Sequence, residues 1–158
     1  MNTVKFSDES LKKFEAIVRR YPKKEAAMLP VLYLAQQEFG YLSAEAIDYV
    51  AAIMGVPAAR VYGVVTFYTM LNMKPIGRHH IQVCRTLPCA LAGAERITAS
   101  IRSKLGVGVG ETTADGKFTL SEVECLASCG TAPMMQVNDD YYENLNEQSV
   151  GAILDKLK

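Results

Sequence analysis

The sequence has no excess of charge of either sign. Its 158 residues include 17 lysines and arginines and 17 aspartates and glutamates, so the formal net charge is zero. A nucleic-acid-binding protein relies on an excess of basic side chains that contact phosphates, and the composition argues against that class. Attachment to anionic lipid by charge alone is disfavoured for the same reason.

Long hydrophobic runs are also missing. The longest apolar stretch, from Gly63 to Leu71, contains Thr66 and Thr69. It is far shorter than the roughly 20 apolar residues that a transmembrane helix needs. The segment MNTVKFSDES at the start has neither an apolar signal region nor an Arg-rich targeting pattern. We therefore expect no direct membrane insertion and a cytoplasmic protein, in a compartment where thiols stay reduced.

The sequence lacks nucleotide-binding motifs as well. The segment GVGVG at residues 106–110 follows a predicted helix, whereas a dinucleotide-binding loop follows a strand and opens a helix. No P-loop is present. We therefore predict that this chain has no NADH or flavin site of its own and no catalytic residues.

What the first half does contain is helical periodicity. Ser7 is a favourable N-cap, a second apolar stripe covers about residues 24–39, Ser43 can cap a third helix, and Pro57 lies where a fourth could begin. Short amphipathic helices must pack against each other or against a neighbour. We predict a four-helix bundle over residues 1–76 that docks on a partner.

The periodicity changes after a linker that contains Pro75 and Gly77. The pattern then predicts a strand at 80–83, a helix at 94–105, strands at 118–124, 134–137 and 141–143, and a helix after Asn146. A shift of apolar parity between Leu120 and Val123 suggests a bulge or a short break in the strand. Residues 77–158 are thus predicted to form a β-α-β-β-β-α domain. The predicted fold class of the whole chain is α+β/α/β, with the helical bundle followed by this domain.

Four cysteines are expected to meet at one edge of this sheet. A strand–helix–strand crossover makes its two strands parallel, so their carboxyl ends lie at the same edge. Cys84 ends the first of these strands and Cys125 ends the second, and Cys89 and Cys129 follow in the adjoining loops. The spacing is C-x4-C and C-x3-C.

The spacing alone leaves three interpretations open. A [2Fe–2S] cluster needs two thiolates on each iron, which two close pairs of cysteines can supply. Structural zinc is often held by four cysteines with similar gaps. Buried or disulfide-paired cysteines are the third interpretation. A thioredoxin-type exchange site is disfavoured, because it would need a C-x-x-C pair that the sequence lacks.

Two cysteine segments resemble the thioredoxin-like [2Fe–2S] ferredoxins: VCRTLPC at residues 83–89 and CLASC at residues 125–129. The resemblance extends to Gly93, Ala132-Pro133, DGKFT at 115–119 and VNDD at 137–140. It implies a thioredoxin-like fold for residues 77–158 and one [2Fe–2S] cluster. The ligands that it implies are Cys84, Cys89, Cys125 and Cys129.

The helical half resembles one branch of that family, the E subunits of NADH:quinone oxidoreductases (complex I). The segments YPK at 21–23 and GYL at 40–42 contribute to this resemblance. It implies a partner flavoprotein subunit that carries FMN, the NADH site and a [4Fe–4S] cluster, so the isolated chain would be an electron carrier within an enzyme complex. It also implies a position peripheral to the inner face of the membrane.

Two alternatives accompany this interpretation. Similar subunits are expected, by the same resemblance, in NAD(P)-linked hydrogenases and formate dehydrogenases. A zinc-stapled interaction module without a redox role is the alternative of another class. A bundle built to face a partner can also self-associate, so a homodimer of the isolated chain is considered.

One position departs from the family pattern. The family often has glycine after the leucine of the second cysteine segment, and this sequence has Ala127. If the loop requires positive φ there, alanine would be strained.

Overall fold

The structure is a computed structural model that describes residues 4–157. The predicted domain ranges begin at residue 1 and end at residue 158, and both of these residues lie outside the described part. The chain divides into two compact units, the first ending at Pro75 and the second beginning at Ile76. Among the described residues, none of the helices has the length and apolar character needed to cross a membrane.

The first unit is entirely helical. It comprises α1 (Asp8–Val18), a 3₁₀ turn (Lys24–Ala27), α2 (Met28–Phe39), α3 (Ala44–Met54) and α4 (Ala58–Phe67). The side chains of Ser7 and Ser43 accept hydrogen bonds from the first turns of α1 and α3, as predicted for N-caps. The second helix was predicted from about Lys24, with Pro30 in its first turn or at a kink, and the structure has a 3₁₀ turn over Lys24–Ala27 before the α-helix. The α-helix starts at Met28, which places Pro30 in the first turn, where no N–H is needed.

The core of the first unit surrounds α2, which packs against α1, α3 and α4. Val31, Leu32 and Ala35 on this helix have no exposed surface. Burying a side chain of the size of leucine contributes about 1.5–3 kcal/mol. The amphipathic pattern that predicted these helices therefore also provides the apolar contacts that hold them together.

The second unit contains a four-stranded mixed sheet. Its elements are β1 (His79–Cys84), α5 (Leu87–Leu91), α6 (Ala94–Leu105), β2 (Phe118–Val123), a 3₁₀ turn (Cys129–Thr131), β3 (Met135–Val137), β4 (Asp140–Tyr142) and α7 (Glu147–Lys156). The spatial order of the strands is β2-β1-β3-β4. The predicted β-α-β-β-β-α order is confirmed, with the short helix α5 as an addition.

The register of β1 and β2 places the cysteines. The two strands are parallel, as predicted, and pair without interruption from His79–Phe118 to Cys84–Val123. The prediction of a bulge or a short break in β2 was therefore wrong. The change in apolar parity arises because β2 leaves the core near its end, where Glu122 is exposed. Cys125 follows two residues after the end of β2, which pairs with the end of β1.

The core of the second unit lies between the sheet and its helices. Helix α6 packs against β1, β2 and α7. Ile81, Ile101, Leu120 and Leu154 are fully buried in this layer. The carboxyl end of β1 is thus anchored by a packed core, whereas β2 is anchored through residues 118–120, and the cysteine loops extend from both strands.

Candidate metal centre

The first cysteine pair is buried. Cys84 is the last residue of β1 and Cys89 lies in α5, and each has only 2% of its surface exposed. The Thr86 hydroxyl lies 3.2 Å from Cys84 Sγ, at the start of α5. The short helix therefore turns the chain back so that Cys89 faces Cys84 across a tight loop.

The pKa values of the two thiols in this pair are shifted in opposite directions. Burial favours a raised pKa for Cys84, but the Thr86 hydroxyl and the backbone amides of Leu126 and Thr86 together lower this pKa. Burial raises the pKa of Cys89, and its hydrogen bond to Cys84 raises this pKa further. The backbone amide of Met134 lowers the pKa, but the net shift is upward. The amides of Leu126 and Met134 belong to the segment around the second pair, so the two cysteine loops are in contact.

The second pair is exposed. Cys125 and Cys129 lie after β2, and a 3₁₀ turn begins at Cys129. The Ala127 amide donates to Cys125 Sγ at 3.3 Å. A hydrogen bond with Cys125 raises the pKa of Cys129, and so do burial and the charges of Cys125 and Cys84.

A salt bridge also links the starts of the two loops. Arg85, next to Cys84, donates to Glu124 Oε1 from Nε at 3.0 Å and from Nη2 at 2.6 Å, and Glu124 precedes Cys125. Both side chains are largely exposed, so the ion pair adds little stability. It joins the residue after Cys84 to the residue before Cys125.

The arrangement fits the donor set of a [2Fe–2S] cluster. All four cysteines are free thiols, grouped as one buried and one exposed pair. Within residues 4–157, no group of three or more His, Cys, Asp or Glu side chains is arranged to hold one metal ion. Two pairs of thiolates are what a two-iron cluster requires, and backbone amides directed at the sulfurs stabilise their negative charge.

Ala127 adopts the left-handed conformation considered from the sequence. Its φ is 61°, between the two exposed cysteines. This region costs an L-residue other than Asn or Asp about 1–2 kcal/mol. The loop therefore holds a strained residue beside two candidate ligands.

Glycine at this position should relieve the strain. We expect Ala127→Gly to raise the free energy of unfolding by about 0.5–1 kcal/mol, because the relief exceeds the added entropy of the unfolded chain. Ala99→Gly, at an exposed site within α6, is the matched control and should lower it by about 1 kcal/mol. Urea denaturation of both variants measures the two changes, and equal signs would contradict the account.

Sequence reasoning missed several residues around the site. Tyr141 and Glu143 contact the second cysteine loop. No sequence pattern indicated this contact, because both residues lie in a segment predicted only as a strand. Leu87 and Leu91 were also missed, although hydrophobic residues on a five-residue helix next to a cysteine are a usable signal. The ring of His80 on β1 has its Nε2 at 2.9 Å from Ser121 Oγ.

The family comparison defines the class of protein, an iron–sulfur protein built on a thioredoxin-like domain. The family model described as thioredoxin-like [2Fe–2S] ferredoxin matches residues 14–158. The chain belongs to this family, and its cofactor is a [2Fe–2S] cluster.

Individual relatives with high sequence identity are more specific than the family model. The chain is 50% identical over 156 residues to the E subunit of NADH-quinone oxidoreductase from Rickettsia conorii, covering 97% of this chain and 93% of the relative. It is 48% identical over 156 residues to the mitochondrial NADH dehydrogenase [ubiquinone] flavoprotein 2 of Dictyostelium discoideum, covering 97% and 63% of the respective chains.

A solved structure shares the fold. The air-oxidised NAD⁺-reducing [NiFe]-hydrogenase superposes with a TM-score of 0.72 at 19% identity. The match covers 82% of this chain and 22% of the hydrogenase chain.

Proposed function

We propose that this chain is the [2Fe–2S] electron-transfer subunit of an NADH-oxidising complex, NADH:quinone oxidoreductase. One observation carries the proposal: two pairs of thiols lie at one sheet edge, in a chain that is 50% identical to the E subunit of such a complex over nearly its whole length. The chain takes part in an oxidoreductase without binding NADH or flavin itself.

The four cysteines are the proposed ligands. Cys84 and Cys89 would hold one iron, and Cys125 and Cys129 the other, because each pair lies on its own loop. The bound cluster supplies storage for one electron at a time. The protein contributes backbone amides that stabilise the sulfurs and a buried first pair that limits the access of water.

The proposed partner is the flavoprotein subunit of the same complex, which would carry FMN, the NADH site and a [4Fe–4S] cluster. The helical unit up to Pro75 would supply much of the contact, as a domain separate from the ferredoxin domain. The complex would lie in the cytoplasm, peripheral to the inner face of the membrane. An NAD(P)-linked hydrogenase is the second candidate host, since a chain of such an enzyme shares this fold.

Two leucines beside the first pair are proposed to form the contact closest to the cluster. Leu87 and Leu91 of α5 flank Cys89, and their side chains are 70% and 81% exposed. Large apolar side chains at such exposure suit an interface. Electron exchange would be efficient here because α5 places Cys89 directly behind this surface.

Charges at this surface should weaken the complex. We expect Leu87→Glu with Leu91→Glu to raise the Kd for the flavoprotein subunit at least about tenfold, since charges replace buried apolar contacts. The Kd is measured by titrating the cluster-loaded chain with that subunit. Val109→Glu, at an exposed site in the loop between α6 and β2, is the control. Equal affinity of the double variant and the control would contradict the proposed contact.

Purification of the tagged chain from its own cells tests the function as a whole. The expected result is co-purification of a flavoprotein subunit and quinone-linked membrane subunits, with a chain that contains iron. A hydrogenase subunit in their place would indicate the alternative host. A chain that carries one zinc and no iron would reject the electron-transfer function.

A further inference from the structure

The edge strand β4 and the residues after it contact the loop that carries the exposed cysteines. At one end of this loop, the Tyr141 hydroxyl donates to the Leu126 carbonyl at 3.0 Å. At the other end, the Asn144 amide donates to the Thr131 carbonyl at 2.8 Å. The loop is therefore held at both ends by one short stretch of chain, residues 141–144.

Between these contacts, the Glu143 carboxylate accepts two hydroxyl hydrogen bonds. The Thr131 hydroxyl donates to Glu143 Oε1 at 2.6 Å, and the Ser128 hydroxyl donates to the same oxygen. The two hydroxyl oxygens lie 2.7 Å apart. Hydrogen bonds from Ser128 and then Thr131 hold the pKa of Glu143 below its ordinary value. Such bonds to an ionised carboxylate are stronger than neutral ones.

These contacts surround the strained residue. Ala127 lies between Leu126, whose carbonyl is held by Tyr141, and Ser128, whose hydroxyl is held by Glu143. A left-handed alanine persists only where neighbouring contacts enforce it. The same conformation directs the Ala127 amide toward Cys125 Sγ. The contacts from residues 141–144 thus reach the exposed thiol pair through the backbone.

We propose that Glu143 is a positioning residue for the Cys125–Cys129 pair, which it holds through Ser128 and Thr131. Tyr141 acts with it at the other end of the loop. The negative charge of Glu143, next to the loop, also favours the oxidised cluster over the reduced one, which carries one more electron. The proposal rests on the proposed function, because it takes the four cysteines as ligands.

The test compares Glu143→Ala, Glu143→Gln and Tyr141→Phe in the cluster-loaded full chain. We expect iron release to a chelator to be about tenfold faster in Glu143→Ala and about threefold faster in Tyr141→Phe, from the loss of charged and neutral hydrogen bonds. Glu143→Gln retains an acceptor oxygen, so its release should stay within about threefold of the wild-type rate.

A redox titration followed by the paramagnetic signal separates the charge from the packing. At a fixed potential, both Glu143 variants should show an approximately threefold higher ratio of reduced to oxidised cluster. Asp139→Asn is the matched control. It removes the same charge from the β3–β4 turn, and the pairing of Ile81 with Val137 and of Val83 with Met135 places this turn at the opposite end of the sheet from Cys84. Its ratio and its iron release should match the wild type.

Each outcome either supports the positioning role of Glu143 or overturns it. Wild-type rates of iron release in Glu143→Ala, or an Asp139→Asn shift equal to that of the Glu143 variants, would overturn it and leave the proposed function intact. A wild-type chain that takes up no cluster would overturn the proposed function and this inference together. Thermal unfolding of the apo variants within a few degrees of the wild type would show that the fold is preserved, and Glu143→Gln provides the conservative rescue.

Discussion

Replacing Cys84 with alanine is expected to abolish cluster assembly in the purified chain. Cys84 is buried at the end of β1, and its sulfur lies 3.2 Å from the Thr86 hydroxyl. Loss of this thiolate leaves one iron with a single protein ligand from its pair. The chain has only four cysteines, so no other thiol can replace it. Iron and sulfide per chain after anaerobic reconstitution should fall by at least about tenfold.

Ser103→Ala, at an exposed position of α6, is the control for this experiment and should retain the full cluster content. The apo form of Cys84→Ala should unfold at nearly the wild-type temperature, because a small apolar residue replaces a small buried thiol. Full iron and sulfide content in Cys84→Ala would show that the ligand assignment is incorrect.

The largest effect on stability is expected from Leu32→Ala. Leu32 is fully buried at the centre of α2, in the core of the helical unit. Truncation of a buried leucine should lower the free energy of unfolding by about 2–5 kcal/mol, through lost burial and the remaining cavity. Urea denaturation followed by circular dichroism measures this change.

The matched control is Leu11→Ala on α1, where the side chain is 38% exposed. This change should cost about 0.5 kcal/mol or less. Because Leu32 and the cysteines lie in different compact units, Leu32→Ala should still take up its cluster below its unfolding transition. Equal losses of stability in both variants would contradict the assigned core.

The helices and the position of Cys84 beside the end of β2 could be predicted, from local rules and from one rule of topology. Ser7 and Ser43 supply side-chain oxygens to helix starts, and Gly55 ends α3 with a φ of 72°. The parallel pairing of β1 and β2 follows from the crossover between them. This single topological rule was sufficient to bring Cys84 beside the segment that starts at Cys125.

The remaining features depend on tertiary contacts that a linear pattern does not contain. Helix α5 has five residues, too few to show a hydrophobic period. The contact of Glu143 with the cysteine loop joins a strand end to a turn that lies far from it in sequence. The positive φ of Ala127 opposes the intrinsic preference of alanine and is set by its surroundings. Such features are determined by the three-dimensional fold and not by the local sequence.

The difference in exposure between the two pairs bears on electron transfer. Cys84 and Cys89 are buried, whereas Cys125 and Cys129 reach the surface. In the proposed function, an electron would therefore enter or leave a cluster that is anchored on one side by the core. On its other side, the cluster would be held by the loop that Glu143 positions. Small changes in that loop should affect the cluster more than the fold.

The most direct test of the central claim is a combined analysis of iron, sulfide and zinc in the purified chain, with electron paramagnetic resonance after reduction. About two irons and two sulfides per chain are expected, with a signal from one unpaired electron on reduction. A colourless chain that contains one zinc, with no signal on reduction, would contradict it.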